Sequence, residues 1–338
     1  MGAIRENERI VMLDYLRGFA LLGIILVNIE TLLAANPPAA GTADAAYWKF
    51  LYLFIEGRFY TIFTFLFGIG FYLFINRANT KGKKGQALFV RRMMVLFLFG
   101  VVHMQFHPGE ALTLYAVAGL ILLPFYKVNR SVNLLFGIVM LVVLGLFAAK
   151  IIMIIPLMLL GIAAGQYQVF ERITHHLKAT AVFTVIMLVL ALAGLTFQYQ
   201  YAPNFIGSAA DEATSVPLHT FSRIGITIGP VVSAFYVGCI IMLIQIPFFR
   251  RLFAPLKSYG RMAFTNYLGQ TVLILAAGKV LQLQSHISYF QTLYICLAIY
   301  VIQLIYSTLW LRYFQFGPLE WVWRALTYLE LPPMRKKT

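Results

Sequence analysis

Apolar stretches of about 20 residues, the length an α-helix needs to cross the hydrocarbon of a bilayer, recur along the chain. They lie near residues 15–33, 59–75, 88–104, 110–126, 131–149, 151–168, 179–198, 224–247, 262–280 and 290–311. Inside that layer only a helix or a closed barrel satisfies its own backbone. With 61% hydrophobic and 12% charged residues, the chain has too little polar surface to face water on all sides. The expected fold is therefore all-α, a polytopic integral membrane helix bundle of about ten transmembrane helices, read as a single transmembrane domain over residues 1–338. Only Lys150 and its neighbours separate the fifth and sixth stretches, so residues 131–168 read either as two spans or as one long or re-entrant segment. The first stretch has the outline of a signal peptide, but Asp14 and the acidic residues ahead of it argue for a retained helix.

A net charge of +15 suggests a nucleic-acid partner until the charges are placed. They lie between the apolar stretches. With the N-terminus in the cytoplasm, the inner side collects Arg5, Arg9, Arg17, the 77–92 cluster and Lys337 among others. Of 27 Lys and Arg, only Lys49, Arg58, Lys150, Arg223 and Lys279 are left outside. The positive-inside rule reads this as both termini cytoplasmic in a multi-pass protein of the cell (inner) membrane, which explains the charge with no nucleic acid. Cys239 and Cys296 sit in apolar runs, and neither HExxH nor Cys/His spacing occurs, so no metal is expected. Two outer connections are long enough to cover a site, residues 34–58 and residues 199–223, the latter with Asn204, Asp211 and Glu212.

Polar residues inside the apolar stretches are the functional signal. In LDYLRGFALLGIILVNIE (13–30), Asp14, Arg17 and Asn28 fall within an arc of roughly 60° and form one stripe. Arg92 and His103 repeat the spacing of Arg17 and Asn28 on the third stretch. Glu110, Thr113 and Tyr115 open the fourth and Arg58 opens the second, so His103, Glu110, Arg58 and Asn28 are expected to meet near the outer leaflet. At the inner face, GRMAFTNYLGQ (260–270) brings Arg261, Asn266 and Gln270 toward Arg17 and Arg92, a mouth suited to phosphate oxygens. Each signal has a plain counterpart. Asp14 with Arg17 reads also as an interfacial anchor, Arg92 as loop charge, His103 as a hydrogen-bonded structural histidine, and Asn266 with Gln270 as helix-to-helix glue. Gly68 and Gly70 read as close packing rather than a phosphate cradle.

On these residues the chain resembles the YeiB-like family, domain of unknown function 418. The matching pieces are LDYLRGFALLGIILVN at 13–28, RFYTIFTFLFGIGF at 58–71, VVH then GEALTLYAVAG within 101–119, GRMAFTNYLGQT at 260–271 and LWLRYFQFGPLEWVWRALTY at 309–328. Relatives commonly carry Asp where this chain has Glu110, and a longer outer connection between the fifth and sixth stretches. Through the DxxRGxA opening, here Asp14, Arg17, Gly18 and Ala20, the family resembles the transmembrane acyltransferase superfamily. In the O-acyltransferases of that superfamily a functional His follows the motif on the same helix, whereas this chain has Asn28 in the comparable region.

The resemblance implies transfer of an acyl group from cytoplasmic acyl-CoA or acetyl-CoA, as co-substrate, to a small-molecule, glycan or lipid acceptor at the outer face. Asp14, Arg17, Arg92, Arg261, Asn266 and Gln270 would hold the co-substrate. His103 would act as base, Glu110 would orient it, and Asn28 or Arg58 would stabilise the oxyanion. Partners are then membrane lipids, the acceptor and, in a homodimer, a second copy. A transporter or flippase of a small metabolite or lipid, using the same polar path without chemistry, is the alternative. A structural or sensory role for the polar residues is the third.

Overall fold

The computed structural model describes residues 10–203 and 212–336, with side chains from residue 217 onward in the second stretch. Arg5, Arg9, Asn204, Asp211, Lys337 and the Glu212 side chain lie outside this description. Among the described residues the chain is helical throughout, with two isolated β-bridges, Asn36 to Ser288 and Phe314 to Arg335.

The helices are α1 (Val11–Leu32), α2 (Ala43–Phe50), α3 (Arg58–Thr80), α4 (Gly85–Met104), α5 (Leu112–Ile121), α6 (Arg130–Leu146) and α7 (Ile154–Gln166). They continue as α8 (Leu177–Tyr199), α9 (Glu212–Gln245), α10 (Pro247–Leu252), α11 (Ala254–Arg261), α12 (Ala263–Val280), α13 (Tyr289–Tyr313) and α14 (Pro318–Tyr328). Among the described residues six segments are long and apolar enough to cross a bilayer: Val11–Leu32, Ala43–Thr80, Gly85–Met104, Leu177–Tyr199, Pro217–Gln245 and Tyr289–Tyr313. Exposed apolar side chains such as Val182, Val185, Val189 and Leu192 on α8 suit a lipid surround and no aqueous one. The chain is a helical membrane protein.

Helices α1 and α3 form the centre. Helix α1 packs on α3, α11, α12 and α13, while α3 packs on α4, α7 and α9, and α8 is held outside against α9. Two crossings bring backbones together. A Cβ on Gly260 would stand 1.9 Å from the Asp14 carbonyl oxygen, and one on Gly18 2.3 Å from that of Leu256, so α1 and α11 touch main chain to main chain. Gly68 and Gly161 do the same for α3 and α7, the close-packing role expected of Gly68. Residues 131–168 fold as two helices in a hairpin, because Asn133 near the start of α6 bonds to Gln166 at the end of α7 at 3.0 Å. Lys150 lies in the turn between them and pairs with Glu56.

The connections divide into two ends. One, the basic end, gathers the turns at 81–84, 127–130 and 246–254 with α14; the other carries residues 33–57, 105–111, 147–153 and 281–288.

Candidate functional site

A cavity of about 340 Å³ opens at the basic end. It follows α3 from Lys81 to Phe63, about 27 Å at 1.5 Å per residue. Its mouth is lined by Arg17, Arg77, Lys81, Arg92, Arg261 and Arg324, and its walls by Phe63, Phe67, Phe71, Phe74 and Leu96. Side-chain and backbone bonds set these cations. Arg17 Nη1 donates to Asp14 Oδ1 at 3.2 Å, and Asp14 is buried. Arg261 Nη2 donates to the Gln315 carbonyl at 2.8 Å. The Arg92 guanidinium lies 3.5 Å from the Trp323 ring centroid, and the Trp323 indole N–H donates to the Arg92 carbonyl at 3.0 Å. Helix α14, which carries Trp323 and Arg324, starts with Pro318 in its first turn. It is tied to α12 by Glu320, whose Oε1 accepts the backbone N–H groups of Phe264 (2.7 Å) and Thr265 (3.0 Å). That carboxylate satisfies amides that the start of α12 would otherwise leave orphaned.

At its far end the cavity stops at Leu112, Tyr115 and Tyr267. Directly behind them lies the buried pair His103 and Glu110, with His103 Nδ1 3.8 Å from Glu110 Oε1. The His103 ring sits 5.3 Å from the Tyr267 ring, and its Nε2 is 2.9 Å from Thr271 Oγ1 on α12. Glu110 is fixed by the start of α5: the Thr113 N–H (3.0 Å) and hydroxyl (2.8 Å) donate to Oε2, and the Leu112 N–H donates to Oε1. Burial alone would raise its carboxyl, but the neighbouring His103 ring and the hydrogen bonds from Thr113 and Leu112 outweigh it and hold the group below the usual carboxylate range. An ionised Glu110 beside Nδ1 favours the tautomer with its proton there, leaving Nε2 as the basic nitrogen.

His107, 5.5 Å ring to ring from His103, is buried with neither nitrogen hydrogen-bonded. Burial, helped by His103 and opposed by Glu110, pushes it down to about 4 from an ordinary 6.5. A base depressed on folding binds its proton more readily in the unfolded chain, so this group favours folding above pH 6.5 and loses that contribution as the pH falls toward 4. The thermal midpoint of detergent-solubilised protein should drop over that window, and the drop should shrink in His107→Phe; parallel curves for the two proteins would refute it.

The remaining expected site residues are distributed differently. Asp14, Arg17, Arg92 and Arg261 share the cavity mouth. Asn266 and Gln270 do not line it. Asn266 Nδ2 bonds to the Tyr259 carbonyl and to Ser307 Oγ, both at 2.9 Å, and Gln270 Nε2 bonds to Tyr259 Oη at 2.6 Å. Gln303 completes this buried network between α11, α12 and α13. Asn266→Ala should therefore lower stability by about 1–2 kcal/mol, measured as a lower thermal midpoint, while nucleotide binding at the mouth stays unchanged. Arg58 is not brought to His103. Its Nη2 bonds to Gln198 Oε1 at 2.9 Å and its Nη1 to the Glu56 carbonyl at 2.6 Å, beside a second cavity. Thr64, which bonds Tyr115 Oη at 2.9 Å, is six residues along α3 and so about 120° around it. Asn28 is half-buried on α1 and lines neither cavity.

Several residues at the site escaped the sequence reading. Glu320 and Trp323 lie over 50 residues from the elements they contact, Arg324 stands beside them on α14, and the amphipathic pattern of 318–328 after a Gly-Pro pair is the signal for an ordered terminal helix. Tyr267 and Thr271 fall on the face of α12 next to the amides that attracted attention.

The model of the family described as "Protein of unknown function (DUF418)" matches residues 164–330. An "Uncharacterized 39.9 kDa protein in amylase 3'region" of Bacillus acidopullulyticus is 54% identical over 343 residues, spanning 100% of this chain and 99% of the relative. The uncharacterised protein YxaH of Bacillus subtilis is 30% identical across 98% of this chain and 97% of its own length. The uncharacterised protein YeiB of Escherichia coli is 29% identical across 98% and 99%. No solved structure matches the chain. End-to-end similarity at these identities, with the family model falling on the half that carries α8 to α14, makes the chain a member of the YeiB-like DUF418 family.

Proposed function

We propose that the protein is a membrane-embedded acyltransferase that takes an acyl group from cytoplasmic acyl-CoA and passes it to an acceptor reaching the site from the outer face. The observation that carries this reading is the alignment of one cavity: cations at the mouth, apolar walls, and a carboxylate-held histidine behind its closed end. Acyl-CoA fits as co-substrate by its chemistry. Guanidinium groups at Arg17, Arg92 and Arg261 suit phosphate oxygens, and a narrow wall about 27 Å long suits an extended arm.

In the step itself an acceptor hydroxyl or amine attacks the thioester carbonyl carbon. His103 Nε2 takes the acceptor's proton, directly or through the Thr271 hydroxyl that now occupies it. The new acyl–oxygen or acyl–nitrogen bond replaces the carbon–sulfur bond, and the thiolate leaves with the proton that His103 returns. Glu110 keeps Nδ1 protonated and stabilises the imidazolium while it lasts. For Leu112, Tyr115 and Tyr267 to admit the thioester, their side chains must swing aside.

The topology that goes with this reading is a single domain of ten spans with both termini in the cytoplasm of the cell membrane. Ten helices, α1, α3 to α9, α12 and α13, correspond to the ten apolar stretches, and the basic end is the end expected to face inward. The test is turnover: purified protein is incubated with labelled acetyl-CoA and longer acyl-CoAs, and free CoA is measured with and without membrane extract as acceptor source. Neither binding nor CoA release with any chain length would overturn the proposal.

One observation favours transport instead. A second cavity of about 90 Å³, lined by Arg58, Glu56, Lys150 and Gln198, lies on the other side of Tyr60, whose ring stacks 6.0 Å from Tyr115 in the first. Two cavities facing opposite ends across a thin partition are what alternating access requires. Uptake of substrate into vesicles by protein that releases no CoA would select this reading.

A further inference from the structure

Arg58 is the first residue of α3 and one of the most deeply buried side chains of the protein, 2% exposed. Two of its five N–H groups are used, by the Glu56 carbonyl and Gln198 Oε1, both neutral acceptors. Its Nε has no hydrogen-bond partner. The Glu56 carboxylate is engaged by Lys150. A buried guanidinium whose bonded partners are all neutral is expensive, and an oxyanion on its free donors relieves that cost.

The surroundings are shaped to admit one. The cavity beside Arg58 has about 90 Å³, far below the roughly 300 Å³ of sites for drug-sized molecules. Its floor is Gly229 on α9, where an added Cβ would meet no atom within 4 Å. Gly225, one turn earlier, lies so close to Gln198 Nε2 that a Cβ would approach it to 2.6 Å, which lets α9 press the amide onto Arg58. The first turn of α3 adds the positive end of a 23-residue helix dipole.

We propose that this cavity, at the end of the bundle opposite the basic mouth, is a binding site for a small oxyanion, a carboxylate or phosphate head held by Arg58 with Lys150 at its rim. The site stands without the acyl-transfer reading. If that reading holds, the site selects acceptors or effectors that carry such a head.

The full-length protein in detergent is titrated with sodium acetate, sodium phosphate or a short-chain phosphatidic acid, against sodium chloride at matched ionic strength and without acyl-CoA. Thermal midpoint and tryptophan fluorescence are recorded, since Trp48 stacks 4.2 Å from Tyr52, a lining residue. Acetate or one of the phosphates should give a saturable rise in midpoint that chloride does not. The phosphate and phosphatidic acid arms separate a soluble head from a lipid-borne one. Arg58→Gln should weaken binding at least about 30-fold, as for loss of a buried charge partner. Because that change also disturbs the contact with Gln198, Gly229→Leu fills the cavity from a clear position and should abolish the response while the protein elutes as folded. Equal responses to all salts in the wild type, or an unaltered response in folded Gly229→Leu, would overturn the site.

Discussion

Acyl-CoA turnover by His103→Ala is expected to fall by about 10² to 10⁴, with production and extraction of the protein at wild-type levels. The expectation rests on how little else depends on the His103 side chain: its contacts are Thr271, Glu110 and the rings of Tyr267 and His107, and Glu110 keeps its bonds to the start of α5 without it. Glu110→Gln separates support from chemistry. It removes the charge beside Nδ1 and leaves one amide oxygen where two carboxylate oxygens accept from Leu112 and Thr113, so the rate should fall at every pH with the protein still folded. Stopped turnover of [14C]acetyl-CoA over pH 5 to 9 measures the rate. Full activity in His103→Ala would remove His103 from the reaction and leave Thr271 and Tyr267 as the polar groups to examine.

The largest structural effect is expected from Gly260→Val, which should destabilise the protein by about 3 kcal/mol or more. The clash is with backbone at both ends of the DxxRG turn: a Cβ on Gly260 stands 1.9 Å from the Asp14 carbonyl oxygen and 2.4 Å from the Gly18 N. Neither can rotate away as a side chain would. To accept the valine, α1 and α11 must separate, and Asp14, Arg17 and Arg261 move with them. The thermal midpoint should drop, and nucleotide affinity at the mouth should drop with it in whatever fraction remains folded. A midpoint within 1 °C of wild type would mean that the two helices do not meet as described. Together Gly18 and Gly260 give a packing reason for two glycines in motifs that look catalytic.

Hydropathy marks the long apolar helices, six of which among the described residues are long enough to cross a bilayer, because burial in lipid requires a run of apolar residues matched to the hydrocarbon; the short helices α2, α10, α11 and α14 carry no such run. Hydropathy carries little about which helices touch. The approach of His103 to Glu110 is legible because only six residues separate them across a short connection, leaving few places for either to go. Depth alone suggested that Arg58 would join them, and depth was insufficient: Arg58 faces α8 and α9, while Thr64 on the same helix reaches Tyr115. Asn266 and Gln270 stand in the right segment, but their amide N–H groups turn away from the cavity, to Tyr259 and Ser307 on α11 and α13 and to the Leu21 carbonyl on α1. The cavity mouth depends on Trp323 meeting Arg92 across 231 positions of sequence, a pairing that no local period encodes. Residues 318–328 matched the family pattern without revealing that their Glu320 caps another helix.

The partition of Tyr60 and Tyr115 has a bioenergetic consequence. With their rings stacked and the Tyr115 phenol bonded to Thr64, these side chains stand between residues that line the two cavities, and a water column joining the cavities there would have to displace them. Under the acyl-transfer reading proposed above, what is handed over at this wall moves as one covalent fragment, and the reaction needs no open pore through which a proton-motive force could discharge.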